Sequence, residues 1–385
     1  MKSDWQVKKL GDIVEFNPTE RLPKGAIAKK ISMDMLQPFT KDVFQYELQP
    51  YNGGAKFRNG DTIMARITPC LENGKVSKVN IMTKDEVGFG STEYIVLRAI
   101  PNVSDPDFIY YLTISDLVRA PAIKSMVGSS GRQRVQQNVL ETLELPIPPY
   151  DEQKKIAAIL SALDEKIATN RAINDNLQQQ AAALFSSLYD RSNTEVRFTD
   201  LIQILGGGTP QTGENTYWNG NIAFFTPKDV GTPYTLITEK TITEEGLSHC
   251  NSRLYPVNTV FVTARGTVGK VGMSGVPMAM NQSCYALVGK ETHQLLVYFY
   301  TLKAVDRLKH KASGAVFDAI TTRDFESEQI MKLSDDDAKS FLCIAEPMFQ
   351  KVLNNSIENQ RLSTLRDSLL PKLMSGEIDV SAAQL

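Results

Sequence analysis

The stretch IPPY at 147–150 differs by one residue from the Asn-Pro-Pro-Tyr loop of enzymes that methylate amino groups on DNA bases. In that loop the first side chain is a carboxamide, which accepts a hydrogen bond from the amine under attack. Ile147 has no polar side-chain atom and cannot accept that bond. A second partial match at 16–20 has Thr19 in place of proline and Glu20 in place of the aromatic residue. Neither stretch therefore carries the residues for base methylation.

Other catalytic and ligand-binding patterns are equally incomplete. The stretch ARGTVGKV (264–271) superficially resembles a nucleotide-binding P-loop, but Val271 stands where Ser or Thr is needed and Ala264 replaces the first glycine. The stretch LGGGTP (205–210) fits a turn before a strand better than a phosphate cradle. The four cysteines form no CxxC pair and the three histidines show no metal-ligand spacing. The sequence predicts no bound cofactor, metal site or disulfide framework.

Length and composition indicate a soluble protein with more than one domain. The chain has 385 residues, 42% hydrophobic and 22% charged, which is ordinary for globular proteins but too long for a single core. No signal peptide or membrane-length apolar run is found, so we expect a cytoplasmic protein. The net charge of −2 gives no support for nucleic-acid binding by itself. Any phosphate contacts must therefore come from local basic patches.

A short segment of the chain is used twice, at an offset of 185 residues without gaps. Apolar positions match apolar positions over both copies, and two asparagines match two asparagines. The offset also holds just upstream of each copy. The matched pairs are Ile156/Phe341, Leu163/Met348, Ile167/Val352, Asn170/Asn355, Asn174/Asn359 and Leu177/Leu362.

These apolar positions recur in alternating steps of four and three, the heptad pattern of one stripe along a helix. The pattern predicts a first helix over 152–189, about 55 Å long at about 1.5 Å per residue. The second helix, over 336–374, contains Pro347, for which we expect a kink or a late start. Each stripe either packs on its own globular domain or joins the other as an antiparallel coiled coil. The duplicated asparagines favour the second, because buried amides fix helix register.

The two long segments also resemble each other. The stretches KKLGDIVEF (8–16) and VRFTDLIQI (196–204) match, and so do NGDTIMARIT (59–68) and VNTVFVTARGT (257–267). Both segments are glycine-punctuated and rich in period-2 patterns, and a more helical part follows, which predicts mixed α/β or α+β domains. The predicted layout is a domain at 1–150, a helix at 151–190, a second domain at 191–335 and a second helix at 336–385.

Several stretches together resemble the specificity subunit of type I restriction–modification systems over essentially the whole chain. They are SSGRQRV (129–135), LPIPPYDEQKKIAAILSALDEKIATNRAINDNL (145–177), GGGTPQTGENTYWNGNIAFFTPKDV (206–230) and ARGTVGKVG (264–272). The resemblance implies no catalysis on this chain. It implies two target-recognition domains that read a bipartite double-stranded DNA site, and two helices that form an antiparallel coiled coil. It also implies two methylation subunits, with S-adenosylmethionine, and ATP- and Mg-dependent restriction subunits as partners.

The sequence departs from a symmetric duplication at the second helix. There the Pro-Pro-x-x-Glu-Gln exit of the first copy is replaced by MKLSDDDAKSF (331–341). The opening of the first domain also differs from that of the second, so we expect the two domains to read different half-sites. A stand-alone DNA adenine methyltransferase and a coiled-coil scaffold that binds only protein are the alternatives. Binding of S-adenosylmethionine, or a DNA selection without an enriched motif, would favour one or the other.

Candidate contact residues fall into two groups. Arginine and glutamine suit base edges in the major groove, and lysine and arginine suit phosphates. In the stretch at 129–138 salt bridging or contact with a partner is as good an interpretation, and the loop at 264–271 is equally well a structural turn. The DNA-binding candidates are Arg66, Lys75, Arg132, Gln133, Arg134, Lys228, Arg265 and Lys270. The candidates for the helix seam and partner docking are Ile156, Leu163, Ile167, Asn170, Asn174, Leu177, Met348, Val352, Asn355, Asn359 and Leu362.

Overall fold

The computed structural model describes residues 4–129, 131–231, 233–311 and 319–380. The chain divides into two compact units. Unit 1 is Met1–Ala168 together with Arg361–Leu385, and unit 2 is Thr169–Gln360. Each unit therefore combines one globular segment with part of each long helix.

Unit 1 contains ten strands in three sheets. Two four-stranded sheets have the orders β2-β9-β6-β7 and β4-β3-β8-β5, and β1 pairs with β10. Most central strands are buried on both faces, in keeping with their apolar runs. The strands are β1 (Gln6–Lys9), β2 (Val14–Phe16), β3 (Ile27–Ile31), β4 (Glu47–Pro50), β5 (Lys56–Phe57), β6 (Thr62–Ala65), β7 (Val76–Lys78), β8 (Gly88–Gly90), β9 (Tyr94–Ala99) and β10 (Glu144–Ile147).

Unit 2 also has ten strands in three sheets. The orders are β12-β19-β16-β17-β14 and β15-β13-β18, and β11 pairs with β20. The strands are β11 (Thr194–Arg197), β12 (Ile202–Gly206), β13 (Trp218–Phe225), β14 (Tyr234–Thr235), β15 (Lys240–Ile242), β16 (Val260–Thr263), β17 (Val271–Ser274), β18 (Met278–Met280), β19 (Cys284–Gly289) and β20 (Gln329–Lys332).

The strand orders confirm the predicted duplication of a mixed α/β domain. The order β2-β9-β6-β7 in unit 1 corresponds to β12-β19-β16-β17 in unit 2, and β1-β10 corresponds to β11-β20. The matched stretches near the start of each unit share a local hydrogen bond. The backbone N–H of Lys9 donates to Asp12, and that of Arg197 donates to Asp200, at 3.2 Å in both cases. The units differ at the sheet edges, where β5 and β14 join different sheets.

Two of the nine helices described are long. The predicted bounds of 152–189 and 336–374 agree closely with α4 and α9, but the late start expected from Pro347 is wrong, because α9 is already helical at Asp335. No helix among the described residues is long and apolar enough to cross a bilayer. The helices are α1 (Pro106–Ile114), α2 (Asp116–Lys124), α3 (Gln137–Glu141), α4 (Tyr150–Asp190), α5 (Phe198–Leu201), α6 (Glu244–Ser248), α7 (Gln294–Lys311), α8 (Thr322–Ser327) and α9 (Asp335–Met374).

Both long helices contribute to the hydrophobic core of each unit. In unit 1 the main cluster includes Ile156 and Leu160 of α4 and Leu373 of α9. In unit 2 the main cluster includes Phe185 of α4 and Phe341 of α9. Burial of these side chains against the sheets and against α1 or α7 stabilises each unit, at roughly 1.5–3 kcal/mol for each large side chain.

Candidate nucleic-acid interface and helix pair

The helices α4 and α9 pair through asparagine side chains inside unit 2. Asn170 Nδ2 donates to Asn359 Oδ1 at 2.9 Å, and Asn355 Nδ2 donates to Asn174 Oδ1 at 2.8 Å. Asn174 Nδ2 also donates to the carbonyl oxygen of Val352 at 3.3 Å. The α9 partner moves toward the N-terminus as the α4 residue moves toward the C-terminus, so these segments run antiparallel.

The two amide pairs are equivalent under the internal repeat. The offset of 185 residues converts Asn170 into Asn355 and Asn174 into Asn359, so one pair becomes the other. Asn170, Asn174 and Asn355 are buried, and a slip of register would leave their amides without partners. The structure thus brings the four predicted asparagines together in two helix-to-helix pairs, and their role in fixing the register stays a prediction.

The other predicted seam positions are all buried or half-buried. Ile156 belongs to the unit 1 core and Met348 packs against the unit 2 core, whereas the asparagines join helix to helix. Buried seam residues are Ile156, Ile167 and Val352, and half-buried ones are Leu163, Leu177, Met348 and Leu362.

Unit 1 joins α4 to α9 with a buried ion pair that the sequence pattern does not reveal. Arg366 Nη1 donates to Asp164 Oδ1 at 2.6 Å, and the hydroxyl of Tyr111 donates to Asp164 Oδ2 at 2.6 Å. Asp164 is 7% exposed and Arg366 is 6% exposed. Burial disfavours the charge on Arg366, but Asp164 and the neighbouring Asp367 together outweigh burial and raise the pKa of the guanidinium above its ordinary value. Asp164 lies next to a seam position rather than on it, so periodicity alone gives no signal for it.

The exit from the first domain is held by the residues that follow its two prolines. Glu152 accepts a hydrogen bond from Trp5 Nε1 at 3.1 Å. The carboxamide of Gln153 accepts from the N–H of Asp105 at 3.0 Å and donates to the carbonyl of Pro148 at 3.0 Å. The Glu-Gln pair that follows the two prolines therefore fixes the start of α4 against Trp5, the residue before α1 and the residue after β10.

The three candidates at 132–134 have different surroundings. Arg134 forms a bidentate ion pair with Glu93, in which Nη2 donates to Oε1 at 2.6 Å and Nε donates to Oε2 at 2.9 Å. The hydrogen bond from Arg134 lowers the pKa of Glu93. The backbone of Gln133 bonds with Thr68 in both directions. Arg132 is exposed, and no described residue forms an ion pair with its guanidinium. The salt-bridge interpretation fits Arg134, whereas Arg132 is available to a ligand.

Arg66 and Lys75 lie close to the first sheet of unit 1. Lys75 Nζ donates to the carbonyl oxygen of Met33 at 2.7 Å, which holds this ammonium group on the protein surface. Arg66 is half-buried beside a cleft of about 440 Å³ that the stretch at 16–20 also lines. The partial methyltransferase match therefore lies at a cleft wall next to a basic side chain.

The unit 2 candidates are all exposed. Lys228 Nζ lies 3.5 Å from a carboxylate oxygen of Glu239, a contact that solvent screens. Arg265 and Lys270 have no ion-pair partner among the described residues. Gly266 and Gly269, between them, have φ of 82° and 73°, values that favour glycine and keep the loop tight. The stretch at 264–271 is thus a tight turn that presents two basic side chains.

Equivalent backbone contacts show that Arg66 and Arg265 do not occupy the same place in the two units. Val135 N–H donates to the carbonyl of Arg66, and Ile320 N–H donates to the carbonyl of Ala264. Since 135 and 320 are related by the repeat offset, Arg66 is equivalent to Ala264. The two units therefore present arginine at different positions.

The described residues contain no group of three or more histidine, cysteine or acidic side chains placed to hold a metal ion.

The sequence model of the family described as "Type I restriction modification DNA specificity domain" matches residues 2–179 and 191–332.

Two curated relatives align over nearly the full chain. The HindI specificity subunit of Haemophilus influenzae is 24% identical over 466 residues, covering 98% of this chain and 100% of the relative. The MjaIX specificity subunit of Methanocaldococcus jannaschii is 21% identical over 409 residues, covering 98% and 94%. A solved type I restriction–modification S subunit from M. genitalium has a TM-score of 0.59 at 16% identity, covering 96% of both chains. That structure shares the fold.

Proposed function

Because this chain belongs to the family of type I restriction–modification DNA specificity subunits, we propose that its two units read the two halves of a split double-stranded DNA site. Each unit enters the major groove of one half-site, where every base pair presents a distinct pattern of donors and acceptors. The α4–α9 pair sets the spacing between half-sites and provides docking positions for two methylation subunits. Methylation with S-adenosylmethionine, and ATP- and Mg-dependent restriction, belong to those partners and to restriction subunits.

The observation that carries this proposal is the duplicated strand order combined with different basic side chains at equivalent positions. Arg66 in unit 1 is equivalent to Ala264 in unit 2, and Arg265 follows Ala264 in an exposed turn. A duplicated fold with identical surfaces would suit a palindrome. Two similar folds with different surfaces suit an asymmetric site, because each half can have its own sequence.

Three exposed basic residues are the best candidates for direct DNA contact. Arg132 in unit 1 and Arg265 and Lys270 in unit 2 have no ion-pair partner among the described residues. Their charged groups are not committed to other parts of the protein and can pair with phosphates or with guanine O6 and N7. Arg134 is proposed for a different role, holding the segment at 131–138 in place through Glu93.

Single substitutions test these roles in the complex of this chain with its methylation subunits. Arg132→Ala removes the proposed bond to a base, which should cost about 1–3 kcal/mol and relax specificity at one position of one half-site. Lys270→Ala removes the proposed bond to a phosphate, which should weaken binding uniformly and reduce the salt slope by about 1. Lys351→Ala, which removes an exposed lysine from α9, is the matched control. Unchanged affinity and specificity in Arg132→Ala, Arg265→Ala and Lys270→Ala together would contradict the proposed interface.

Exchange of residues 1–145 with those of a relative that reads another site tests the assignment of one half-site to each unit. The expected result is a new sequence in one half and the original sequence in the other. If both halves changed together, the two units would not read independently.

A further inference from the structure

In unit 1 the start of α4 is joined to the globular domain by the side-chain carboxamide of one residue. Gln153 is 1% exposed, and its Oε1 accepts from the N–H of Asp105, the residue that precedes α1. Its Nε2 donates to the carbonyl oxygens of Pro148 at 3.0 Å and Val103 at 3.2 Å. One neutral side chain thus bonds with the residue before α1, with the loop that leads into α1 and with the residue that follows β10.

The equivalent place in unit 2 can be identified residue by residue. The repeat offset of 185 puts Ala338 at the position of Gln153 and Leu333 at that of Pro148. His293 takes the position of Asp105, because Ile109 N–H donates to the carbonyl of Asp105 and Val297 N–H donates to that of His293, at 2.9 and 3.1 Å.

In unit 2 this place is an open groove. Ala338 has no side-chain donor or acceptor, and the loop before α7 is shorter than the loop before α1. The result is a groove of about 940 Å³, lined by Ala338, His293 and Leu333 among others, which we call the unit 2 groove. No described residue accepts a hydrogen bond from the backbone N–H of His293 or donates one to the carbonyl of Leu333. Two of the backbone groups that hold a carboxamide in unit 1 are therefore available here.

The charges around the unit 2 groove favour a neutral polar ligand. Acidic and basic side chains line it in similar numbers, so neither an anion nor a cation finds a site of opposite charge. The acidic residues are Asp200, Glu291, Asp335 and Glu346, and the basic ones are Lys290, Lys332 and Lys339, with His293 beside Glu346 at 3.7 Å.

We propose that the unit 2 groove binds the carboxamide of an asparagine or glutamine side chain from a methylation subunit, an inference that rests on the proposed function. The Oδ1 or Oε1 atom accepts from the N–H of His293, and the amide nitrogen donates to the carbonyl of Leu333. A polypeptide occupant fits better than a small amide because the groove, at about 940 Å³, is much larger than one amide group and its wall includes the half-buried side chains of Leu201 and Leu342. The partner therefore supplies in unit 2 the group that the chain itself supplies in unit 1.

This arrangement makes the two units unequal as docking positions. In unit 1 the carboxamide of Gln153 already bonds with these backbone groups, so no partner side chain can bind them. Unit 2 can be completed only by a partner. The two methylation subunits should accordingly bind this chain with different affinities, and the stronger site should depend on the unit 2 groove.

The substitution Ala338→Gln tests the inference because it supplies the carboxamide from within the chain. Methylation subunit from the same system is titrated into the purified chain, and the bound species are counted by native mass spectrometry. The expected result is at least tenfold weaker binding of one of the two subunits, with the other unchanged and a higher melting temperature of the free chain. Ala338→Ser, which leaves the groove open, is the matched control and should bind like the wild type. Wild-type affinity for both subunits in a correctly folded Ala338→Gln variant would overturn the inference.

A second measurement is independent of docking. Propionamide, which has the terminal group of glutamine, is titrated into the full chain while the backbone amide signal of His293 is followed by NMR. The signal should shift progressively in the wild type and stay unchanged in Ala338→Gln. No shift in the wild type would overturn the carboxamide chemistry even if methylation subunits bind. A propionamide shift in a chain that binds no methylation subunit would instead refute the docking part of the proposed function and the occupant named here.

Discussion

Units 1 and 2 fill the same buried position between α4, α9 and the globular domain in opposite ways. Unit 1 places Tyr111, Asp164 and Arg366 there, joined by hydrogen bonds. The repeat offset converts Asp164 into Phe349 and Arg366 into Ala181, and both of these belong to the unit 2 core. Unit 2 thus uses aromatic packing, with Phe349 and Phe299 ring centroids 5.5 Å apart, where unit 1 uses an ion pair.

The difference shows that this buried position can be filled either by an ion pair with its hydrogen bonds or by packed aromatic side chains. A buried ion pair gains little over apolar residues of similar volume, because desolvation offsets the attraction between the charges. It is, however, more sensitive to the loss of one partner. Unit 1 is therefore the unit that single polar substitutions and acid should disturb most.

The largest predicted effect is the loss of Asp164. Asp164→Ala removes the buried partner of the Arg366 guanidinium, which keeps only the exposed carboxylate of Asp367 at 2.8 Å, and it also removes the acceptor of the Tyr111 hydroxyl. The expected decrease in the free energy of unfolding is about 3 kcal/mol, the lower end for a broken buried ion pair, measured by urea denaturation of the full chain.

The double variant Asp164→Ala with Arg366→Ala is the control for the buried charge. It should be destabilised less than the single variant, because no guanidinium remains buried without the carboxylate of Asp164. A single-variant decrease below about 1 kcal/mol, the value of an exposed pair, would contradict the comparison of the two units.

A smaller effect is predicted at the amide pairs. Asn174→Leu leaves the carboxamide of Asn355 buried without its acceptor, which should cost about 1–3 kcal/mol. The equivalent change in the other pair, Asn359→Leu, should cost less because Asn359 is only half-buried. Urea denaturation measures both. Equal destabilisation of the two variants would mean that burial does not distinguish the pairs.

The smallest predicted effect is that acid lowers the stability of unit 1 more than that of unit 2. Burial alone would raise the pKa of Asp107, but hydrogen bonds from Lys41 and Lys78, each at 2.7 Å, outweigh burial and hold the pKa of this carboxyl below its ordinary value. Its contribution to stability is therefore fully present above the unfolded-state pKa, about 3.9, and is lost as pH falls through the lower folded-state pKa.

Asp107→Asn should remove this part of the acid dependence, seen as a flatter curve of unfolding free energy against pH below about pH 4. Burial raises the pKa of Asp42, whose protonation acts in the opposite direction and reduces the wild-type slope. Unit 2 should not share the effect, because its equivalent of Asp107 is Leu295. Hydrogen exchange resolved by residue measures this, and an equal acid response in both units would be contrary to expectation.

The periodicity of the sequence predicts the fold of this chain far better than it predicts the polar interactions within the fold. The heptad stripe and the repeat offset identify α4, α9 and the amide pairs, because these features recur along the sequence at fixed spacing. The partner of Asp164 is 202 residues away. Arg366 stands at a stripe position of the second copy, the equivalent of Ala181, where periodicity predicts an apolar residue and gives no sign of an ion pair. Gln153 stands in a recognisable stretch, but its three bonds depend on backbone groups that only the folded chain brings together.

The candidate DNA contacts show the same limit. Arg132 and Arg134 are equivalent candidates by residue type alone. In the structure Arg134 pairs with Glu93, whereas no described residue forms an ion pair with Arg132. The similarity between the stretches at 59–68 and 257–267 does not reveal that Arg66 and Arg265 occupy different places. That difference depends on the backbone contacts of Val135 and Ile320.

The most direct test of the central claim is methylome sequencing of cells that express this chain with the methylation subunit of its own system. Two units that read DNA separately predict methylation at a split motif, with two short defined halves around a fixed run of unspecified bases. A contiguous motif would contradict the account, because only one unit would then be reading DNA. An absence of new methylation, with both proteins folded and bound to each other, would contradict it as well and favour a scaffold that binds only protein.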